Sequence, residues 1–185
     1  MWTTPNLLTL SRIVLIAPFL YWIQNGRFGL ALVVFFVASV TDFLDGYIAR
    51  KFNQQSPLGQ LLDPLADKLL TTASFVVLAL TRDGFPSIPV WLTVAVVGRD
   101  VVILVGSLVV YLTTRYGQFK PTMMGRINTT LELVLIVLFL GLHTAGVLTE
   151  VLPICYVIVL ISVLLSGAGY VAEGVRILRT VDSRQ

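Results

Sequence analysis

Six apolar stretches alternate with short polar breaks along the chain, over residues 7–23, 28–49, 59–80, 88–112, 123–142 and 151–178. Each is close to or above the length of about 20 residues that a helix needs to cross a bilayer. The breaks carry turn residues: Gln24-Asn25-Gly26, the run from Asn53 to Pro57, Asp83-Gly84-Phe85-Pro86, Tyr116-Gly117 and Thr149-Glu150. Gly, Pro, Asn and Asp in such clusters end helices rather than continue them. The pattern predicts an all-α polytopic membrane protein with six transmembrane helices. Thr3 or Thr4 caps the first turn and Pro5 sits within it. With Arg12 snorkelling to the headgroups, this start has room for a short N-terminal interfacial helix.

Composition agrees. Of 185 residues 56% are hydrophobic and only 12% are charged, about half the charge of a soluble domain, roughly 25%. These values exclude a disordered chain, a nucleic-acid-binding domain and an ordinary cytosolic enzyme. Six spans leave only short loops, so residues 1–185 read as one transmembrane domain. Met1 to Leu10 has no positive charge and Arg12 interrupts the apolar run, unlike a cleaved signal peptide. The lone Cys155 allows no intrachain disulfide.

The net charge of +3 is dispersed among the loops, as expected beside anionic membrane lipids. Arg50, Lys51, Arg115, Lys120, Arg176, Arg179 and Arg184 fall on one side of the six-span arrangement, and Arg27 and Arg82 on the other. The positive-inside rule then puts both termini and the second and fourth loops in the cytoplasm. The compact chain suggests a bacterial inner membrane.

Placement of the carboxylates carries the chemistry. Among the ten acidic residues, Asp42, Asp45, Asp63, Asp67, Asp100 and Glu132 interrupt apolar stretches. A charge at the bilayer centre costs about 2.5 kcal/mol or more, so such residues face water, pair or hold an ion. Asp42 and Asp45 are three residues apart, Asp63 and Asp67 four, so each pair lies on one face of its helix. Ala49 follows Asp45 by four and Gly59 precedes Asp63 by four, extending each acidic face with a small residue. A cytoplasmic loop joins the two helices, so the four carboxylates lie at a similar depth. Clustered carboxylates stay ionised only with cations among them. Ligands offering oxygen alone suit hard divalent ions such as Mg²⁺, Mn²⁺ or Ca²⁺. A pair of such ions clamps a phosphoryl group, and Gly46, Ala49 and Gly59 leave space for a bulky ligand. The competing reading pairs two of the carboxylates with Arg50 and Lys68 and treats the small residues as packing. A rival of another class is a small cation- or proton-coupled transporter, whose acidic site would lie at mid-membrane.

The string D-x2-D-G-x2-A-R-x8-G-x3-D-x3-D occupies positions 42 to 67 without a gap. It resembles the signature of the CDP-alcohol phosphatidyltransferase family, and the six-span layout is similar to that family's core. The resemblance implies a metal-dependent enzyme that cleaves CDP-diacylglycerol, releases CMP and passes the phosphatidyl group to an alcohol. It implies two Mg²⁺ or Mn²⁺ ions on Asp42, Asp45, Asp63 and Asp67, with Asp67 as the general base. It also implies that Asp45, Gly46, Ala49, Arg50 and Gly59 contact the CDP-lipid. Pro5-Asn6-Leu7-Leu8-Thr9 with Arg12 resembles the family's opening motif, which adds Asn6 and Thr9 to that set. A homodimer is a further implication. No Ser, Cys or His nucleophile accompanies the acidic cluster, favouring direct displacement over a covalent intermediate.

A second polar set bears on the acceptor. Arg99-Asp100 interrupts the fourth stretch, while Lys120-Pro121-Thr122, Gly125 to Thr129 and Glu132 lead into and along the fifth. Arg99, Lys120 and Arg126 are candidates for a cationic pocket binding a phosphate-bearing acceptor, because Arg forks match phosphate oxygens. The alternative pairs Arg99 with Asp100 or Glu132. Within the family, Arg99-Asp100 and the segment from Lys120 to Thr129 resemble cardiolipin-forming members, whose acceptor is phosphatidylglycerol. Members using glycerol 3-phosphate, which make phosphatidylglycerophosphate, usually carry Arg-Glu and Gly-Lys where this chain has Arg99-Asp100 and Gly125-Arg126.

Overall fold

The computed structural model describes the backbone of residues 4–51, 57–82, 84–114 and 123–182, and the side chains of 14–41, 68–82, 84–107, 109 and 123–176. The described residues form no strand. They build α1 (Thr4–Gln24), α2 (Phe28–Lys51), α3 (Pro57–Ala79), α4 (Val90–Thr114), α5 (Met123–Ala145) and α6 (Leu152–Asp182), with a 3-10 turn at Thr149–Val151 leading into α6. Each apolar stretch coincides with one helix, and the ends differ by at most four residues. Inside an apolar medium a helix satisfies its own backbone, so hydrophobic length translates directly into helix length here. The expected interfacial helix is not a separate element: helix geometry continues unbroken from Thr4 to Gln24, past Arg12 and Pro18.

Among the described residues, three helical stretches are long and apolar enough to cross a membrane: Val90–Ser107, Met123–Ala145 and Thr149–Arg176. In α1 to α3 the described apolar segments are shorter: Val14–Gln24, Phe28–Thr41 and Lys68–Ala79. Large apolar side chains remain exposed on the outer faces, including Val94 (65%), Leu104 (64%), Ile154 (64%) and Leu164 (61%). Apolar surface on this scale requires a lipid-like surrounding. Hydroxyls within the helices bond back to the preceding turn, as Ser39 to the Phe35 carbonyl, Ser74 to Leu70 and Thr144 to Leu140, so no hydroxyl donor of these three faces an apolar environment unsatisfied.

The chain folds as two compact units, residues 1–88 with 136–149, and residues 89–135 with 150–185. In the first, α1 packs against both α2 and α3. Its core is aromatic: Phe19, Phe35, Phe75 and Phe139 are fully buried. Phe19 meets Phe35 at 5.8 Å between ring centroids, and Phe28 meets Phe139 edge-on at 6.4 Å. His143 bonds through Nδ1 to the Phe139 carbonyl at 2.8 Å and packs against the rings of Phe28 and Phe139, which gives it a structural place. In the second unit α4 packs against α6, around buried Leu92, Val96, Leu135, Val159 and Val163.

Gly26 ends α1 in the left-handed region, at φ +67°. Its N–H donates to the Ile23 carbonyl at 2.9 Å, and the Arg27 N–H reaches back to Trp22 at 2.9 Å. This is the paired-bond termination that Gly permits without a Cβ penalty. The ring of Phe85 occupies the place a Cβ at Gly26 would take, and the same ring packs edge-on against Phe28 at 6.3 Å. Gly26→Ala is therefore expected to destabilise the first unit by about 1–3 kcal/mol, the sum of an unfavourable backbone and an overpacked ring. Unfolding in detergent measures this, and an unchanged midpoint would contradict the packing described.

Candidate active site

The signature residues divide between two helices of the first unit. Asp42, Asp45, Gly46, Ala49 and Arg50 belong to the C-terminal half of α2, and Gly59, Asp63 and Asp67 to the N-terminal half of α3. Both helices pack on α1, the helix that carries Asn6 and Thr9. The backbone thus brings all three sequence segments of the expected CDP-lipid site into one unit. Helical geometry holds through both acidic pairs, so the face-sharing inferred from their spacing applies. The side chains of these residues, and Lys120 entirely, lie outside the described residues. As a donor set, four carboxylates on two adjacent turns of two helices suit hard divalent cations.

The second unit contains a cluster whose side chains are all among the described residues. Arg99 on α4 is buried, with 8% of its surface exposed. Its Nη1 donates to Asp100 Oδ1 at 2.8 Å, and its Nη2 donates to Ser166 Oγ on α6 at 2.6 Å. The guanidinium lies over the ring of Tyr170, 5.5 Å from its centroid. The aliphatic stem runs beside Gly167 of α6, where an added Cβ would stand 3.7 Å from Arg99 Cγ, an ordinary van der Waals contact. A buried guanidinium is tolerated only when paired and hydrogen-bonded. Asp100 provides the countercharge, Ser166 a hydroxyl acceptor and Tyr170 an electron-rich face. Of the two pairings open for Arg99, the one with Asp100 is present. Arg126, by contrast, is exposed on the first turn of α5, so these two expected cations differ in setting: Arg99 is buried and ion-paired, and Arg126 is open.

Below Arg126 lies a second polar link. Asn128 and Glu132 sit four residues apart on α5 and are buried, at 0% and 2% exposure. Asn128 Nδ2 donates to Glu132 Oε1 at 2.6 Å, and its Oδ1 accepts from Ser162 Oγ at 2.6 Å. The amide orientation follows from chemistry, since a carboxyl oxygen requires the NH2 side and the hydroxyl then finds the carbonyl. Asn128→Leu removes both bonds and is expected to cost about 1–3 kcal/mol, within the range for buried bonds and above the average between membrane helices. A detergent unfolding midpoint that does not fall would show that this link contributes nothing.

Ser162, Ser166 and Tyr170 are functional-site candidates that sequence reasoning missed. The signal was present: polar residues at a spacing of four in an otherwise apolar helix, which places all three on one face. Their importance becomes visible only when α4 and α5 are seen to supply the partners.

Comparison with known proteins gives a consistent result. The family model for CDP-alcohol phosphatidyltransferase matches residues 2–171. The chain is 38% identical over 151 residues to "Cardiolipin synthase (CMP-forming)" of Homo sapiens, covering 73% of this chain and 49% of that protein. It is 33% identical over 180 residues to "CDP-diacylglycerol--glycerol-3-phosphate 3-phosphatidyltransferase" of Aquifex aeolicus (strain VF5), covering 94% of this chain and 97% of that one. A protein of the same name from Cereibacter sphaeroides is 36% identical over 149 residues, covering 76% and 64%. The chain spans about half the length of the cardiolipin synthase relatives from human, rat and fly that it matches. With the match running through α1 to most of α6, and the acidic signature intact on α2 and α3, the chain belongs to the CDP-alcohol phosphatidyltransferase family.

Proposed function

We propose that this chain is an integral-membrane transferase that moves the phosphatidyl group of CDP-diacylglycerol to the glycerol hydroxyl of a phosphate-bearing acceptor and releases CMP. The observation that carries the reading is the unbroken signature from Asp42 to Asp67 on α2 and α3, within a family match that covers residues 2–171. All six helices span the bilayer in this reading, and the acidic ends of α2 and α3 face the cytoplasm of a bacterial inner membrane. The enzyme works as a homodimer.

Asp42, Asp45, Asp63 and Asp67 hold the divalent ions. Bound there, two Mg²⁺ or Mn²⁺ ions would supply positive charge to offset the pyrophosphate and the departing CMP. Asn6, Thr9, Gly46, Ala49, Arg50 and Gly59 hold the CDP portion, the small residues admitting its bulk. Asp67 accepts the proton of the acceptor hydroxyl. The hydroxyl oxygen forms a bond to the phosphorus beside the diacylglycerol as the bond from that phosphorus to the bridging pyrophosphate oxygen breaks. Arg99, Lys120 and Arg126 hold the acceptor's phosphate, with Arg99 offering a fixed fork where Lys offers a mobile point charge.

Phosphatidylglycerol is the favoured acceptor, which makes the product cardiolipin. The Arg99-Asp100 pair supports it, together with 38% identity to the human relative of that name. Glycerol 3-phosphate is the second reading, favoured by the nearly end-to-end match to the Aquifex protein. Purified protein supplied in parallel with labelled phosphatidylglycerol and labelled glycerol 3-phosphate distinguishes them. Label appearing in a four-chain lipid supports the first, and label appearing only in phosphatidylglycerophosphate replaces it with the second.

A further inference from the structure

We propose that Ser166 is a positioning residue for acceptor recognition: it orients the Arg99 guanidinium so that the Nε–H is presented to the acceptor's phosphate. The proposal rests on the reading of Arg99 as a phosphate contact and adds α6 to the acceptor site. Arg99 is attached to α4, yet two of its three anchors come from α6: the Ser166 hydroxyl at 2.6 Å from Nη2 and the Tyr170 ring at 5.5 Å from the guanidinium carbon. The third, Asp100 at 2.8 Å from Nη1, is its chain neighbour. Asp100 supplies countercharge but leaves the plane of the fork free to turn. Ser166 and Tyr170 remove that freedom, one by holding an edge and the other by stacking a face.

The remaining nitrogen makes the arrangement informative. Arg99 Nε is buried and has no hydrogen-bond partner among the described residues. Buried donors without partners are rare, and an unpaired one on a charged group is costly. A role in packing alone would favour satisfying every guanidinium nitrogen, or replacing the Arg by an apolar residue. A role in binding an anion leaves a donor in reserve. Ser162, four residues before Ser166, anchors the same face of α6 to Asn128 of α5. This sets the height and rotation of α6, and with them the point from which Ser166 holds Arg99.

Steady-state kinetics of the purified full chain, with CDP-diacylglycerol and phosphatidylglycerol or glycerol 3-phosphate varied separately, tests this. Ser166→Ala is expected to raise the KM for the phosphate-bearing acceptor by about five- to tenfold, the size of one lost hydrogen bond acting through the Arg. The KM for CDP-diacylglycerol should remain within twofold. Ser166→Thr retains the hydroxyl and should keep the acceptor KM near that of the unsubstituted chain. If Ser166→Ala leaves the acceptor KM unchanged while Arg99→Lys raises it, Arg99 binds phosphate and the positioning role of Ser166 is wrong. If Arg99→Lys also leaves it unchanged, the phosphate-contact reading falls and the proposal falls with it. Equal changes in both KM values, with a lowered unfolding midpoint, would assign Ser166 to structure alone.

Discussion

Asp67→Asn is expected to lower turnover by at least about 10³-fold while leaving CDP-diacylglycerol binding within a few-fold. The substitution preserves shape and removes the ability to take a proton. General base catalysis contributes about 10² to 10⁴ on its own, and loss of a carboxylate from a divalent-ion site adds to that. Asp67 occupies the last position of the signature, four residues from Asp63 on α3, so the amide remains on the same helical face. Binding measured with a labelled CDP-lipid should persist because the other three carboxylates remain. Turnover that is unchanged would remove Asp67 as the base. Loss of binding in parallel with turnover would reduce it to an ion ligand.

The second large effect is expected from Arg99→Lys. Arg99 is the buried member of the acceptor set, and its charge is opposed by Asp100. Lysine keeps that charge, so Asp100 is not left as an uncompensated buried carboxylate, which would itself cost about 3–5 kcal/mol. Lysine cannot keep the planar fork or contact Ser166 and Asp100 in the same geometry. One charge-assisted bond to phosphate is lost, worth about 1.5–3 kcal/mol. The acceptor KM should therefore rise roughly 10- to 100-fold, with the KM for CDP-diacylglycerol little changed. Separate saturation curves for the two substrates measure this. An equal effect on both would place Arg99 outside the acceptor site.

The helices were legible because in an apolar chain the polar breaks are the dominant signal. Gln24-Asn25-Gly26 marks the end of α1 to within a residue, and Gly26 fulfils the role its position suggests. The start of α1 was read less well. The segment before Arg12 was read as room for a separate interfacial helix, but α1 runs from Thr4 to Gln24 through Arg12, since a helix that satisfies its own backbone need not stop at one charge. The acidic signature was legible as spacing, since residues three and four apart share a face wherever the backbone is helical. Spacing along one helix carries no information about which residues of a distant helix come near. For that reason Arg99 was open to two partners in sequence, and its contacts with Ser166 and Tyr170 had no sequence signature beyond a stripe of polar residues on α6. Asn128 was visible only as part of a polar segment. Its bond to Ser162 depends on α5 and α6 lying side by side.

The most direct test is CMP release from CDP-diacylglycerol by the detergent-purified protein, with the divalent ion and the acceptor each present or withheld. CMP should form only when Mg²⁺ or Mn²⁺ and a phosphate-bearing glycerol acceptor are both supplied, should cease on chelation, and should return when the ion is restored. Absence of CMP with either acceptor in the presence of either ion, or undiminished release in excess chelator, would contradict the account.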